Sequence, residues 1–600
     1  MEPHLQTLNF KFKLIVTLLG TFCGLLVAPQ VDAESNITPP VSEENIPNAV
    51  LTDQIFFQTL SSEIAAQRGQ IGPAYGTLMS MANQTHDPRF AKRATEIAWG
   101  NRYADDAIAA ARTWLLLSPK SEEAFQSLQA MLVATGKLND LSAISQEHYA
   151  QYSSDQRIAN LVQLQRLLTR SQDKDAVTGI MEKLAAQDTN RYEPHLILAR
   201  TATQFHDDAK AQQETQTALK INPDSELALL THVQLIQQTE PDKTIKLIRD
   251  FLSRNPKAID ARVTLTRLLI EQKQSSAVRQ EMDKLEKSTT TFPKLLLSLA
   301  SLSLEASQPD QAEKYLTTYV DRTKNAARQK DNSGEDTEIF HGSDLARSYQ
   351  LLSQIAEDRG NLTAALDWIN KLDESDRSAQ SEIKRATLLG KIGKLQESRE
   401  VLAKLAASSL VAPADRYQIS LTEAQILRDA GKPQEAFNVL SDALNKTPNQ
   451  PELLYDYAMA AEKLDKLDVM EGALRKLIEI RPQNQHAYNA LGYSLADRKL
   501  RLPEALELVQ KAVSLAPDDA FIIDSLGWVY YRMGNLDKSL TYLRQAYELK
   551  QDVEIGAHLG EVLWESGQRN EAQKYWKEVL KTDPKNETLR AVLGKYKTGL

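Results

Sequence analysis

The residues that could carry catalysis or hold a metal ion are few in this chain, and they form no recognised motif. The chain has 600 residues, with 9 histidines and 1 cysteine. No two histidines have HExxH spacing, and the sequence contains no GxSxG, GxxxxGK[ST] or GxGxxG motif. A zinc site built on thiolates needs more than one cysteine. The sequence therefore predicts a protein that is not an enzyme and uses no cofactor or metal.

The balance of charges excludes one class of partner. Lys and Arg total 71 and Asp and Glu total 80, which gives a net charge of −9. A nucleic-acid-binding protein is expected to carry a basic excess, so none is predicted here. Aromatic residues are 6% of the chain, and 23 Gly and 22 Pro are fewer than β-sandwiches or barrels consume in their turns. The composition favours a mostly helical protein.

A sequence pattern that recurs about every 34 residues marks the helices on which any functional residue would lie. Pro413, Pro448, Pro482, Pro517 and Pro584 are separated by 35, 34, 35 and 67 residues. A small residue (Ala, Ser or Thr in thirteen of fifteen units) recurs with nearly the same period, which predicts fifteen repeated units. These positions are Ala74, Ala107, Leu141, Ala176, Ala211, Thr244, Ala277, Ala312, Ala365, Ser398, Ala436, Met470, Ala505, Ser539 and Ala572.

The clearest unit is AFIIDSLGWVYYRMGNLDKSLTYLRQAYELKQ, residues 520–551. Gly527 and Ser539 supply the small side chains that two antiparallel helices need where they cross. Gly534 would end the first helix in the left-handed conformation. This unit resembles the tetratricopeptide repeat (TPR), a pair of antiparallel helices. The resemblance implies an all-α superhelical solenoid of about 15 helix-turn-helix repeats.

Composition divides the chain into five segments. They are a signal peptide over 1–33, a polar linker over 34–49, a first solenoid half over 50–322, a polar inserted loop over 323–343, and a second half over 344–600. The loop accounts for one gap of 53 residues between small positions where 34 is usual. A last helix near Leu589 to Tyr596 is expected to cap the final unit.

The first segment has the layout of a secretory signal peptide. Lysines precede the apolar run 14–28, and Ala33 ends a plausible cleavage site. Retention of the leader as a membrane anchor and lipidation at Cys23 are the alternatives. The bulky Phe22 stands where lipoprotein signals have a small residue, which argues against lipidation. Cleavage of either kind predicts an exported, periplasmic protein, with association with the outer membrane as a further possibility. An uncleaved leader predicts an anchored protein instead.

The TPR resemblance implies a binding groove lined by positions 2, 5, 9, 12 and 13 of each first helix. In the last three units the predicted lining is His486, Asn489, Tyr493, Asp497, Asp524, Trp528, Tyr531, Arg532, Glu561, Trp564 and Glu565. Aromatic side chains of this kind suit a protein-binding surface. The alternative is that Trp528 and Trp564 pack against neighbouring helices. Asn489 and Asp524 could grip a peptide backbone, whereas a single Arg532 does not favour a terminal carboxylate.

A narrower resemblance covers residues 484–576. The blocks are ALGYSLADRKLRLPEALELVQKAVSLAPDDAFIIDSLGWVYYRMGNLDKSLTYLRQAYEL and EIGAHLGEVLWESGQRNEAQKYW. They resemble the long TPR lipoproteins of the Gram-negative outer membrane that act as adaptors of a periplasmic carboxyl-terminal processing protease. The resemblance implies a non-enzymatic scaffold that activates the protease and brings it substrates, including cell-wall hydrolases.

Two other functions are considered. The chain could be an assembly or secretion factor that scaffolds an envelope complex for exopolysaccharide export, pili or outer-membrane machinery. It could instead be an enzyme with a TPR arm, but the fifteen repeats occupy nearly all of the sequence after residue 49 and leave no room for a catalytic domain.

Overall fold

A computed structural model describes residues 51–333 and 342–597 of this chain. The predicted signal peptide, Cys23 and the linker over 34–49 lie outside the described residues. Within them, no helix is long and apolar enough to cross a lipid bilayer.

The described residues form thirty-one α-helices and no β-strand. In chain order the helices are α1 (Asp53–Gln67), α2 (Ile71–Thr85), α3 (Pro88–Gly100), α4 (Ala104–Leu117), α5 (Glu122–Ala134), α6 (Leu138–Tyr149), α7 (Ser154–Leu168), α8 (Lys174–Ala185), α9 (Tyr192–Gln204), α10 (Asp208–Ile221), α11 (Glu226–Ile236), α12 (Pro241–Arg254), α13 (Ile259–Glu271), α14 (Ser275–Lys287), α15 (Leu295–Glu305), α16 (Pro309–Ser333), α17 (Gly342–Asp358), α18 (Leu362–Ile369), α19 (Ala379–Lys391), α20 (Leu395–Ala407), α21 (Tyr417–Asp429), α22 (Pro433–Lys446), α23 (Pro451–Lys463), α24 (Leu467–Ile480), α25 (Gln485–Asp497), α26 (Leu502–Leu515), α27 (Ala520–Arg532), α28 (Leu536–Leu549), α29 (Val553–Glu565), α30 (Arg569–Thr582) and α31 (Glu587–Tyr596).

The helices follow one another as fifteen pairs, from α1 and α2 to α29 and α30, with α31 left over. Each second helix carries one of the fifteen predicted crossing residues in its first turns. All of these residues are buried except Ala176 and Ala277, which are partly buried. Leu141 and Met470, the two large residues in the series, are also buried. The predicted all-α repeat fold is confirmed for the described residues.

The pair formed by α27 and α28 shows why small residues are needed at the crossing. A Cβ atom added to Gly527 would lie 2.7 Å from the Leu543 Cγ atom. Only a glycine lets the two helices approach this closely. Gly534 has φ +84°, a left-handed conformation that ends α27 at low steric cost.

The described chain divides into two compact units, one ending at Tyr315 and the other beginning at Leu316. Each has its own buried core. Phe125 and Tyr149 are the largest side chains in the core around α5 to α7 of the first unit. In the second unit the core of the last two pairs is built around Trp576, which is fully buried.

The predicted loop over 323–343 is corrected by the structure. Helix α16 continues to Ser333, and α17 already begins at Gly342. The physical reason is local, because residues 323–333 contain no Gly or Pro and are rich in Ala, Arg, Lys and Gln, which favour helix. Residues 334–341 lie outside the described part.

Candidate functional site

Three first helices, α25, α27 and α29, carry the residues predicted to line a binding groove. Each helix begins at a side chain that accepts hydrogen bonds from its first turn. These side chains are Asn484 for α25, Asp519 for α27 and Asp552 for α29. The caps fix where each helix starts, and therefore which residues face the neighbouring first helix.

Five side chains from the three helices form one contact network, here called the Trp528 cluster: Asp497, Asp524, Trp528, Arg532 and His558. The Trp528 indole donates a hydrogen bond to Asp497 Oδ1 at 3.2 Å, and Arg532 donates to the same oxygen at 2.6 Å. The Trp528 ring stacks on the His558 imidazole with centroids 4.1 Å apart. The Arg532 guanidinium carbon lies 4.7 Å from the Trp528 ring centre. The three helices are therefore joined by polar and aromatic contacts as well as by apolar packing.

The centre of the Trp528 cluster is a buried ion pair. His558 Nδ1 lies 2.9 Å from Asp524 Oδ2, and the two side chains are 2% and 7% exposed. Burial alone would lower the pKa of His558, but the charge of Asp524 and its hydrogen bond raise that pKa to about 9. His558 is therefore a cation at neutral pH, held between a carboxylate and an aromatic face.

Two polar groups beside the cluster have no hydrogen-bond partner among the described residues. They are Asn489 Oδ1 and the Tyr493 hydroxyl, one turn apart on α25, and both atoms are buried. Burial raises the pKa of Tyr493 well above its usual value, and the nearby Glu554 raises it further. Burial likewise raises the pKa of the Glu554 carboxyl. An acceptor and a donor thus stand unfilled beneath the surface of one helix face, where a peptide backbone pairs with them only after neighbouring side chains move aside.

A second network joins α27 and α29 to α31 through Glu561. Its carboxylate accepts hydrogen bonds from the Tyr531 hydroxyl at 3.3 Å, from Lys595 Nζ at 2.7 Å and from the Tyr596 hydroxyl at 3.3 Å. The Tyr596 hydroxyl also lies 2.5 Å from Glu565 Oε1. The last helix therefore uses its polar end to bind the carboxylates of α29.

The aromatic side chains of the last helix pair also contact α31. Trp564 stacks on Trp576 with centroids 5.5 Å apart, and Tyr596 packs against both rings. Of the three residues of α29 that were predicted to line the groove, Glu561 is buried, Trp564 is partly buried and Glu565 is exposed, and α31 contacts all three. The repeat pattern marks α31 as an apolar cap and carries no signal for its polar contacts.

The structure brings most of the predicted lining together. Asp497, Asp524, Trp528 and Arg532 share one cluster, and Tyr531 with Glu561 shares the next. Asp524, Trp528 and Glu561 are about 5% exposed, which agrees with the packing alternative for Trp528. His486, at the start of α25, contacts its neighbour Gln485 and belongs to neither cluster. The binding role of these residues stays a prediction.

Sequence reasoning missed His558, which is the partner of both Asp524 and Trp528. His558 is the sixth residue of α29, whereas the predicted groove positions are the second, fifth, ninth, twelfth and thirteenth residues of a first helix. The repeat pattern therefore carried no signal for this contact.

A second surface was also missed, on the first helix of the array. Large apolar side chains of α1, and of Leu51 two residues before it, are exposed: Leu51 (72%), Phe56 (59%), Phe57 (69%), Leu60 (49%) and Ile64 (41%). The side of α1 that packs on α2 instead carries small or polar residues such as Ser62 and Ala66. Contiguous exposed apolar side chains of this kind are typical of interaction sites.

No group of three His, Cys, Asp or Glu side chains in the described ranges is placed to hold a metal ion.

Comparison with known proteins agrees with the repeat fold. A tetratricopeptide repeat family model matches residues 524–553 and 557–586, which overlap α27 to α30. A TPR repeat-containing protein of Pseudomonas aeruginosa is 37% identical over 210 residues, which cover 35% of each chain. The mouse interferon-induced protein with tetratricopeptide repeats 3 is 25% identical over 268 residues, covering 41% of this chain and 64% of that protein. The chain therefore spans about a third of the first relative and just under two thirds of the second.

Among solved structures, a thermophilic TPR protein of Thermus thermophilus is 26% identical over 30% of this chain and 97% of that chain, with a TM-score of 0.28. The matched family model describes a repeat and not a catalytic domain. The matched repeat model and the curated relatives support a TPR protein whose repeats serve protein–protein interaction.

Proposed function

We propose that this chain is a non-enzymatic scaffold of the bacterial envelope that activates a periplasmic carboxyl-terminal processing protease and brings substrates to it. The proposed partner class comes from the resemblance of residues 484–576 to the adaptors of such proteases. The proposed location, periplasmic and associated with the outer membrane, comes from the sequence pattern of the leader.

The observation that carries the binding function is the pair of unfilled polar groups on α25. Leaving a buried donor or acceptor without a partner costs about 1–3 kcal/mol per group, so a fold that keeps both gains from a ligand that pairs with them. Asn489 Oδ1 would accept a backbone N–H, and the Tyr493 hydroxyl would donate to a backbone C=O. A bound segment would thus replace missing hydrogen bonds without needing a particular side chain.

An adaptor also needs a second surface, since it holds a protease and a substrate at once. The exposed apolar side chains of α1 supply a candidate. Helix α1 and the cluster at α25 to α29 belong to different compact units, so each surface can be altered without disturbing the core of the other.

The test is quantitative capture of partners from native cells with the tagged full chain. Mass spectrometry should identify a carboxyl-terminal processing protease together with cell-wall hydrolases. Asn489→Ala with Tyr493→Phe should lower the captured amount of one partner class, and the melting temperature should not fall because the removed groups make no internal hydrogen bond.

Tyr542→Phe is the matched control, because Tyr542 lies on the second helix α28 and its hydroxyl has no hydrogen bond among the described residues. This variant should capture as much as the wild type. Capture of polymer-export or pilus components in place of a protease would contradict the proposal and favour the assembly function.

A further inference from the structure

Among the described residues, three arginines in the first compact unit have no carboxylate partner. Arg166 lies on α7, Arg170 follows its end, and Arg200 lies on α9. Among the described residues, none of the three guanidinium groups forms a hydrogen bond or an ion pair. Arg200 is nevertheless partly buried, and burial together with the charge of Arg166 lowers its pKa. A partly buried cation that is repelled by another cation is costly to keep.

Arg166 and Arg200 hold equivalent places on consecutive first helices. They are 34 residues apart, one repeat. Arg166 directly follows two buried residues of α7, and Arg200 directly follows two buried residues of α9. Trp528 also follows two buried residues, on α27. The two arginines therefore hold the helix position that Trp528 holds in the Trp528 cluster of the second compact unit.

Arg267 shows the pairing that an arginine at this helix position forms when its role is structural. Arg267 on α13 also follows two residues buried against the core, and it pairs with Glu305 of the next first helix, α15, at 3.2 Å. Arg532 in the second unit pairs with Asp497 of the preceding first helix. Arg166 and Arg200 have no such carboxylate on either neighbouring first helix.

A polar side chain beside the arginines is also incompletely paired. Gln204 Nε2, one turn after Arg200, donates a hydrogen bond to the Leu168 carbonyl oxygen at 3.0 Å, which ties the end of α9 to the end of α7. The Gln204 Oε1 atom is buried and has no partner among the described residues. The bond fixes the two helix ends side by side.

We infer that Arg166, Arg170 and Arg200 form a binding site for the acidic side chains of an extended protein segment. The guanidinium group has the fork geometry that binds a carboxylate through two hydrogen bonds. Neighbouring packed helices lie about 8–10 Å apart, and an extended chain advances about 3.3 Å per residue. Acidic residues three positions apart therefore match the spacing of Arg166 and Arg200. Nucleic acid is disfavoured because the whole chain carries a net charge of −9.

This inference goes beyond the proposed function, because an acidic segment could bind here whether or not the partner is a protease. The probe is a dye-labelled 12-residue peptide of Ser, Gly and Glu, with Glu at every third position and an amidated C terminus. Fluorescence anisotropy with the full chain should show binding that weakens as salt is added. Replacement of every Glu by Gln should abolish that binding.

Arg166→Gln with Arg200→Gln should weaken binding of the Glu peptide at least tenfold, and Arg166→Gln alone should weaken it in the same direction. The matched control is Arg249→Gln with Arg279→Gln, which removes the same charge from exposed, unpaired positions on the second helices α12 and α14. This control should change the affinity less than twofold.

Three results would overturn the inference: no binding of the Glu peptide to the wild type, equal binding of the Gln peptide, or an equal loss in the control. Tighter binding of a Gln peptide with a free carboxyl terminus would also overturn it, in favour of a terminal-carboxylate site. Circular dichroism melts separate loss of binding from loss of folding, and the exposed Arg166 can be changed alone if the double variant does not fold.

Discussion

At the scale of single residues, the ion pair of His558 and Asp524 makes the stability of the second unit depend on pH. The pKa of His558 is raised from 6.5 to about 9 in the folded chain. A group whose folded pKa is raised stabilises the fold fully below its unfolded pKa, and that stabilisation is lost as the pH rises through the folded pKa.

We therefore expect the advantage of the wild type over His558→Gln to be largest at pH 6 and to shrink by about 3 kcal/mol towards pH 9.5. Urea unfolding of both proteins at the two pH values measures it. His486→Gln is the control, because His486 forms no ion pair among the described residues. A difference between wild type and His558→Gln that does not change with pH would contradict the assigned charge.

Trp528 is 4% exposed, so its main role in the unbound chain is packing. Trp528→Ala should cost about 3–5 kcal/mol in unfolding free energy, since it leaves a cavity between α25 and α29. Trp528→Phe keeps an aromatic ring on His558 and loses the hydrogen bond to Asp497 and part of the ring volume, so it should cost less than the change to Ala. Thermal melts of the two variants would show this order, and equal melting temperatures would contradict a packed Trp528.

At the scale of helices, a glycine at the crossing point limits which side chains a helix pair can carry there. Gly527→Ala should cost about 1–3 kcal/mol, because the added Cβ meets Leu543. Gly472→Ala is the matched control inside helix α24, where a Cβ would meet nothing within 4 Å. That change should stabilise the chain by about 0.5–1 kcal/mol. The melting temperature should fall for Gly527→Ala and rise for Gly472→Ala. A fall in both variants would contradict the requirement for glycine where the two helices cross.

The exposed apolar face of helix α1 is expected to bind a partner protein. Phe57→Glu with Leu60→Glu places charges on an exposed face, so the melting temperature should hardly change. Partner capture from cells should fall, because the apolar contact is lost. Gln54→Glu with Gln67→Glu adds the same charge elsewhere on α1 and should leave capture unchanged. Undiminished capture by the Phe57 and Leu60 variant would exclude this face as a partner site.

The sequence predicted the helices better than it predicted the site, for a physical reason. Small crossing residues and Gly534 report local backbone geometry, which recurs in every unit and can be read from a single chain. The contacts of His558 with Asp524 and of Tyr596 with Glu561 join residues about 35 positions apart. They depend on the exact rotation of each first helix, and His558, the sixth residue of α29, lies outside the positions that the repeat pattern assigns to the groove.

At the scale of the whole molecule, two compact units carry surfaces of different character. The first unit has the exposed apolar face of α1 and the unpaired arginines of α7 and α9. The second has the Trp528 cluster and the unfilled groups of Asn489 and Tyr493. A chain with several distinct surfaces can hold more than one protein at a time, which is what an adaptor requires.

The most direct test of the adaptor function is the activity of the captured protease. Its rate of cleavage of a captured cell-wall hydrolase would be measured with the purified full chain present and absent, and again with the Asn489→Ala, Tyr493→Phe variant. We predict that the full chain raises the rate severalfold and that the variant raises it less. A rate that is the same with and without the full chain would contradict the proposed function.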